Sequence, residues 1–252
     1  MKPGFFSARH LPRALWAVAA LTIAAVAGQA AWRIKQSVDL ARQSEPLQAS
    51  PAGATASLLI AGDSTAVGTG ASSAAHSVAG LIASNHPGLR IVNRASDGAR
   101  FADIARQLEG DGRFDAVLVL GGGNDVIRLT AQDALAQDIA RVARLATARA
   151  PLVVIMPPGN VGNAPFFMAP LSWLMAKRSR AMHGLVRQAA ADHGAFYVSL
   201  YKDKADDPFA QRPDELNARD GLHPSDAGYR LWYDALNAQA GLAERLAGSK
   251  GN

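Results

Sequence analysis

The sequence predicts a three-layer α/β/α sandwich built on a five-stranded parallel sheet, and three observations predict it. Short apolar runs of strand length alternate with helical patterns through residues 57–247. The runs are continuously apolar rather than alternating, as in strands covered on both faces. Strands separated by helices imply right-handed crossovers, which place helices on both sides of one sheet.

The chain opens with a leader. Residues 1–32 carry Lys2, Arg9 and Arg13 and no acid, and residues 15–32 read LWAVAALTIAAVAGQAAW, 18 positions without a charge. Such a stretch is a membrane span or a secretory signal, with Gly28 and Ala30 as the small residues of a cleavage site. The uncleaved signal-anchor is the favoured reading, because the run approaches spanning length and Trp16 and Trp32 stand where interfacial aromatics anchor a helix. In both readings the folded part is exported, and an anchored form faces the periplasm or another extracytoplasmic space. Residues 33–56 read as a helical stub and a Pro/Ser/Gly-containing linker, followed by one domain over 57–247 and a tail over 248–252. Residues 1–50 are therefore expected to localise the protein and to add almost nothing to its fold or chemistry.

Within the domain, residues 57–61, 90–93, 116–120, 152–156 and 195–200 read as the five strands. Leu135, Ile139, Val142 and Ala146 mark one helix face, with Thr130 and Asp133 as a capping-box pattern before it and Pro151 after it. A last helix starts at Ser225 with Leu231, Trp232, Ala235, Leu236 and Leu242 on its inner side. The apolar segment Pro165, Phe166, Phe167 and Met168, continuing to Leu171, Trp173 and Leu174, either lines a pocket, lies on a bilayer or packs on the core.

Composition excludes several functions. The net charge of +5 lies mostly in the leader, since the rest of the chain holds 23 basic against 21 acidic residues. No basic run interleaved with aromatics follows, so no nucleic-acid partner is expected. The absence of cysteine excludes a thiol nucleophile and Cys-based zinc sites. His76, His86 and His183 have no second ligand at metal spacing, and His193 precedes Gly194 at a helix end, so no metal is expected.

Four loops carry the chemistry. Gly62-Asp63-Ser64-Thr65 follows the first strand and sets a serine at a helix amino terminus, a position shared by ordinary helix caps. Asp220-Gly-Leu-His223-Pro224 places a carboxylate where it can turn back onto the imidazole, orienting a general base. Gly121-Gly122-Gly123-Asn124-Asp125 follows the third strand and brings backbone and an amide N–H toward a ligand. It lacks the Lys and Ser/Thr of a phosphate-cradling P-loop. Gly98, after the second strand, offers a backbone N–H. All four loops follow predicted strands and gather on the carboxyl edge of the sheet, where such folds bind ligands. Asp63 and Asp125 read as loop-shaping residues.

In this order the blocks Gly62-Asp63-Ser64, Asn93 with Gly98, Gly122-Gly123-Asn124-Asp125, and Asp220-x-x-His223-Pro224 resemble those of the SGNH (GDSL-like) hydrolases. The resemblance implies a flavodoxin-like fold and cofactor-free hydrolysis of esters or thioesters. It assigns Ser64 as nucleophile, His223 as base, Asp220 as its orienting partner, and the Ser64 N–H, Gly98 and Asn124 as the oxyanion hole. The expected substrate is a small-molecule, lipid or glycan ester. A membrane-tethered carbohydrate O-acetylesterase or acyltransferase, and a non-catalytic binding module of the same fold, are the alternatives. Thr65 in place of the frequent Leu, and the extra Gly121, are the departures.

Overall fold

The structure, a computed structural model, describes residues 11–248. The leader's Lys2 and Arg9, and residues 249–252 of the expected tail, lie outside that range.

The strands are β1 (Ala56–Gly62), β2 (Leu89–Asn93), β3 (Ala116–Leu120), β4 (Leu152–Met156) and β5 (Phe196–Tyr197). The helices are α1 (Leu11–Gln43), α2 (Ser64–Val67), α3 (Val78–Asn85), α4 (Phe101–Gln107), α5 (Gly123–Ile127), α6 (Gln132–Arg149), α7 (Leu171–His193), α8 (Pro208–Gln211), α9 (Pro213–Leu216), α10 (Asp226–Ala240) and α11 (Leu242–Gly248). All strand pairs are parallel, in the order β2-β1-β3-β4-β5. The pleat sorts the side chains between two cores. Leu58 and Ile60 pack with Val78 and Ile82 of α3 and Tyr229 and Leu236 of α10. Leu59 and Ala61 pack with Ile104 of α4, Ile139 of α6 and Met182 of α7 on the other face.

This strand order fixes where a site can form. From β1 the chain crosses to β2 on one side, whereas from β3 it crosses to β4 on the other, so the β1 and β3 carboxyl ends diverge around a crevice. Ser64 follows β1 and Asn124 follows β3.

Four local expectations are corrected. Thr130 and Asp133 do not form the capping box: α6 begins at Gln132 behind Ala131, which makes no side-chain cap, and the Thr130 hydroxyl donates instead to Asp125 Oδ1 at 2.9 Å. The last helix is two, because Gly241 (φ +57) ends α10 and Leu242 opens α11. The fifth strand is only two residues long. The Gln239 amide takes its place, accepting from Ser199 N at 2.8 Å and donating to Ser199 O at 3.1 Å.

The fourth concerns residues 33–56, read as a helical stub and a linker. The stub is present, as α1 continuing to Gln43, but the segment after it is docked on the domain. Leu47 and Ala49 pack against the α3/α10 core, Ala49 pairs with Ile91 as an antiparallel bridge, and the Gln48 side chain exchanges two hydrogen bonds with the Asn93 backbone at 2.6 and 3.0 Å. This segment thereby covers the β2 edge of the sheet, where backbone groups would otherwise stand open. By contrast, the apolar part of α1 is not buried against the domain: the span-length stretch from Leu15 is exposed, with a mean hydropathy of 1.6.

Candidate active site

Ser64 is the first residue of α2, with only Asp63 between it and the end of β1. Gly62 is required at the joint, since a Cβ there would fall 1.9 Å from the Leu120 carbonyl oxygen. Asp63 caps α2: Oδ1 accepts from Thr65 N at 2.9 Å and from the Thr65 hydroxyl at 2.7 Å, and Oδ2 accepts from Gly122 N at 3.2 Å. One buried carboxyl thus fixes the serine loop to the β3 loop. Burial raises its pKa, and the hydrogen bonds from Thr65 and Gly122 offset that only in part.

His223 is presented by a narrow turn. Ala218 N donates to His223 O at 2.8 Å, and Asn217 bridges Pro224. Ser225 then caps α10 by accepting from Gly228 N at 3.2 Å. The two-residue gap between Asp220 and His223 has a geometric meaning: Asp220 Oδ1 accepts from Leu222 N at 3.0 Å and His223 N at 3.1 Å, which folds the chain back. Oδ2 is then left 2.6 Å from His223 Nδ1. Burial opposes the Asp220 charge, but the histidine hydrogen bond and these backbone donors outweigh it and hold the carboxyl below its ordinary value. His223 Nε2 lies 2.9 Å from Ser64 Oγ, across 159 residues of sequence. An imidazole nitrogen this close to a serine hydroxyl can activate the oxygen for attack when it accepts the proton.

The remaining expected residues join the same cavity of about 540 Å³, which Ser64, His223, Gly98 and Asn124 all line. Asn124 sits in the first turn of α5 and donates one Nδ2 hydrogen to Ala99 O at 3.2 Å. That bond sets the plane of the amide and leaves its second hydrogen for a ligand. Gly122 (φ +115) starts α5 with no room for a Cβ, which would meet Met182 Sδ at 2.6 Å and Phe101 Cε2 at 2.7 Å. Gly98 (φ +76) packs under Arg128. Asp125 is fully buried and shapes the loop, accepting from Phe101 N at 2.9 Å as well as from Thr130. Asn93 lies below the cavity and ties β2 to α2 by donating to Ala66 O at 2.9 Å.

Several supports escaped the sequence reading. Gln107 brackets Gly62, accepting from its N–H at 2.7 Å and donating to its carbonyl at 3.0 Å. His183 is buried and bonds Tyr197 Oη at 2.6 Å and the carbonyl oxygen of the cavity-lining Pro158 at 2.7 Å, with its pKa lowered to about 4, chiefly by desolvation. Ser37, Val38 and Ala41 of α1 also line the cavity. This overturns the expectation that the first 50 residues leave the site untouched. Phe166 and Phe167 do not reach the cavity: Phe167 packs on the α4/α7 core, and Phe166 N donates to Gly221 O at 2.9 Å. Met168, Leu171, Trp173 and Leu174 are exposed, Trp173 by 71%. Among the described residues, no group of three or more His, Asp or Glu side chains is placed to hold a metal ion.

Comparison with known proteins points the same way. The sequence model of the GDSL-like Lipase/Acylhydrolase family matches residues 60–231. Among solved structures, LAE5, an α/β hydrolase enzyme from the metagenome of Lake Arreo, Spain, superposes with a TM-score of 0.58 at 22% identity, over 76% of this chain and 97% of its own. Axe2, an acetylxylan esterase from Geobacillus stearothermophilus, gives 0.54 at 22% identity, over 75% and 95% of the two chains. TesA gives 0.59 at 20% identity, over 74% and 99%. These similarities speak for the fold. The search of curated proteins returns no match. The chain, with a family match over most of its length, therefore belongs to the GDSL-like lipase/acylhydrolases and is an ester-hydrolysing enzyme.

Proposed function

We propose that this protein cleaves carboxylic esters through an acyl-enzyme formed on Ser64. The observation that carries the reading is the unbroken relay from Asp220 Oδ2 through both nitrogens of His223 to Ser64 Oγ, with links of 2.6 and 2.9 Å. His223 takes the Ser64 proton as Oγ attacks the substrate carbonyl. The oxyanion is held by the Ser64 N–H at the start of α2, the Gly98 N–H and the second Asn124 Nδ2 hydrogen. His223 returns the proton to the departing alcohol, and water repeats the sequence to release the acid. Asp220 holds His223 in the tautomer whose Nε2 accepts. In the same reading the exposed stretch of α1 anchors the enzyme in a membrane, with the domain on the extracytoplasmic side.

The test is pre-steady-state hydrolysis of p-nitrophenyl acetate. A burst of one nitrophenolate per enzyme is expected from the wild type, and Ser64→Ala and His223→Ala are each expected to lose several orders of magnitude in turnover while remaining folded. A folded Ser64→Ala protein with wild-type turnover would refute the assignment.

A further inference from the structure

Helix α1 changes character partway along. Its apolar stretch is wholly exposed, and it ends at Trp32, followed by Arg33 and Lys35. From Arg33 the same unbroken helix begins to meet the domain: Gln36, Ser37, Leu40 and Ala41 are half-buried, and Ser37, Val38 and Ala41 form part of the wall of the cavity that holds Ser64 and His223. At the end of α1, Gln43 Oε1 accepts from Arg219, next to the catalytic carboxylate. A single rigid rod therefore runs from the apolar stretch to the active site.

Helical rise converts this into a height. Ser37 follows Trp32 by five residues and Ala41 by nine, which places them about 8 and 14 Å beyond the end of the apolar stretch along the helix axis. The headgroup layer on each side of a bilayer is about 5–8 Å deep, and any tilt of the helix lowers the cavity further. The cavity wall thus begins at the outer limit of the headgroups. A second apolar surface stands on the same carboxyl edge of the sheet. Met168, Leu171, Trp173 and Leu174 lie exposed just after Ala164, which lines the cavity, and beside Phe166, which bonds the Asp220–His223 turn. The cavity's own apolar lining includes Val161, Leu200, Phe209, Leu231 and Trp232.

We infer that α1 is both anchor and pocket wall, and that the enzyme takes an amphiphilic acyl ester residing in the membrane interface rather than an ester free in solution. The inference rests on the proposed serine esterase and its anchor, and it names their substrate class. Docking the cavity at the outer limit of the headgroups shortens the path that an acyl chain travels outside the hydrocarbon. The cost of exposing that chain to water grows with each methylene.

The experiment uses full-length enzyme reconstituted in phosphatidylcholine vesicles with two probes: p-nitrophenyl laurate carried in the bilayer and p-nitrophenyl acetate in the water. A seven-residue alanine-rich insertion after Ile34 raises the domain by about 10 Å and turns it by only about 20°, so the α1 wall keeps its face. It is expected to reduce laurate turnover at least tenfold and leave acetate turnover within twofold. Equal turnover of both probes before and after insertion overturns the inference while leaving the esterase intact. Failure of the wild type on both probes overturns the esterase reading itself. If the insertion also abolishes acetate turnover, wild-type surface dilution decides: laurate turnover should follow the ester's mole fraction in the bilayer. A rate that follows bulk ester concentration, or a mature amino terminus near Ala31, contradicts the inference.

Discussion

Asp63 and Asp220 are buried alike, at 1% and 0% exposure, and each stands within three residues of a catalytic candidate, yet their acidities move in opposite directions. Asp63 takes its hydrogen bonds from neutral donors, Thr65 and Gly122, and feels His223 only through space, so desolvation prevails and its pKa rises. Asp220 is hydrogen-bonded directly by the His223 ring as well as by two backbone N–H groups, and its pKa falls although burial opposes the charge. The direct histidine partner separates the roles. Asp63 builds the loop that carries the serine, whereas Asp220 is matched to a ring that must become cationic during turnover.

That contrast is broken most severely at Asp220. Asp220→Asn should keep the turn, because an amide oxygen still accepts from Leu222 N and His223 N. It sets an N–H donor against His223 Nδ1, however, and selects the wrong tautomer, so kcat should fall about a thousandfold to ten-thousandfold. An unchanged kcat would mean that Asp220 only shapes the turn, as Asp63 does. Asn124→Ala should cost about a hundredfold to a thousandfold in kcat with little change in KM, the loss expected for one oxyanion donor. A loss confined to KM would instead place Asn124 in ground-state binding.

Stability against pH sharpens the comparison further. His183, held neutral in the fold with a pKa lowered from 6.5 to about 4, contributes stability that is full above pH 6.5 and lost as pH falls toward 4, by about 3 kcal/mol. Chemical denaturation of His183→Gln should show a smaller loss over that window, and an identical loss would assign the acid sensitivity elsewhere. The depressed Asp220 adds stability above its ordinary value of 3.8 that disappears only as pH drops through its lower folded value. Asp63→Ala is the mildest change. Losing the α2 cap should cost about 1–2 kcal/mol of unfolding free energy and leave most of the turnover in place. A loss of turnover as large as that of Asp220→Asn would erase the distinction between the two carboxyls.

Much of this was legible in the sequence, for identifiable reasons. Strands β3 and β4 were found at their observed limits because each is a five-residue apolar run buried on both faces. The pairing of Asp220 with His223 was readable because it closes over three residues. The Thr130 pattern misled, since the hydroxyl found a stronger partner in the buried Asp125 than in its own helix end. Gln107 was invisible because its partner, Gly62, is 45 residues away and the contact is to backbone, which leaves no pattern in residue type. The role of α1 escaped for a related reason. Apolar composition explains residues 15–32 completely, whereas Ser37, Val38 and Ala41 gain their meaning only when the helix is laid against the cavity.

The central claim, that Ser64 is the nucleophile activated by His223, is tested most directly by reaction with a fluorophosphonate and mapping of the adduct by peptide mass spectrometry. One adduct per chain on Ser64 is predicted, with labelling slowed by orders of magnitude in His223→Ala. An adduct on another residue, or undiminished labelling of Ser64 in His223→Ala, would contradict it.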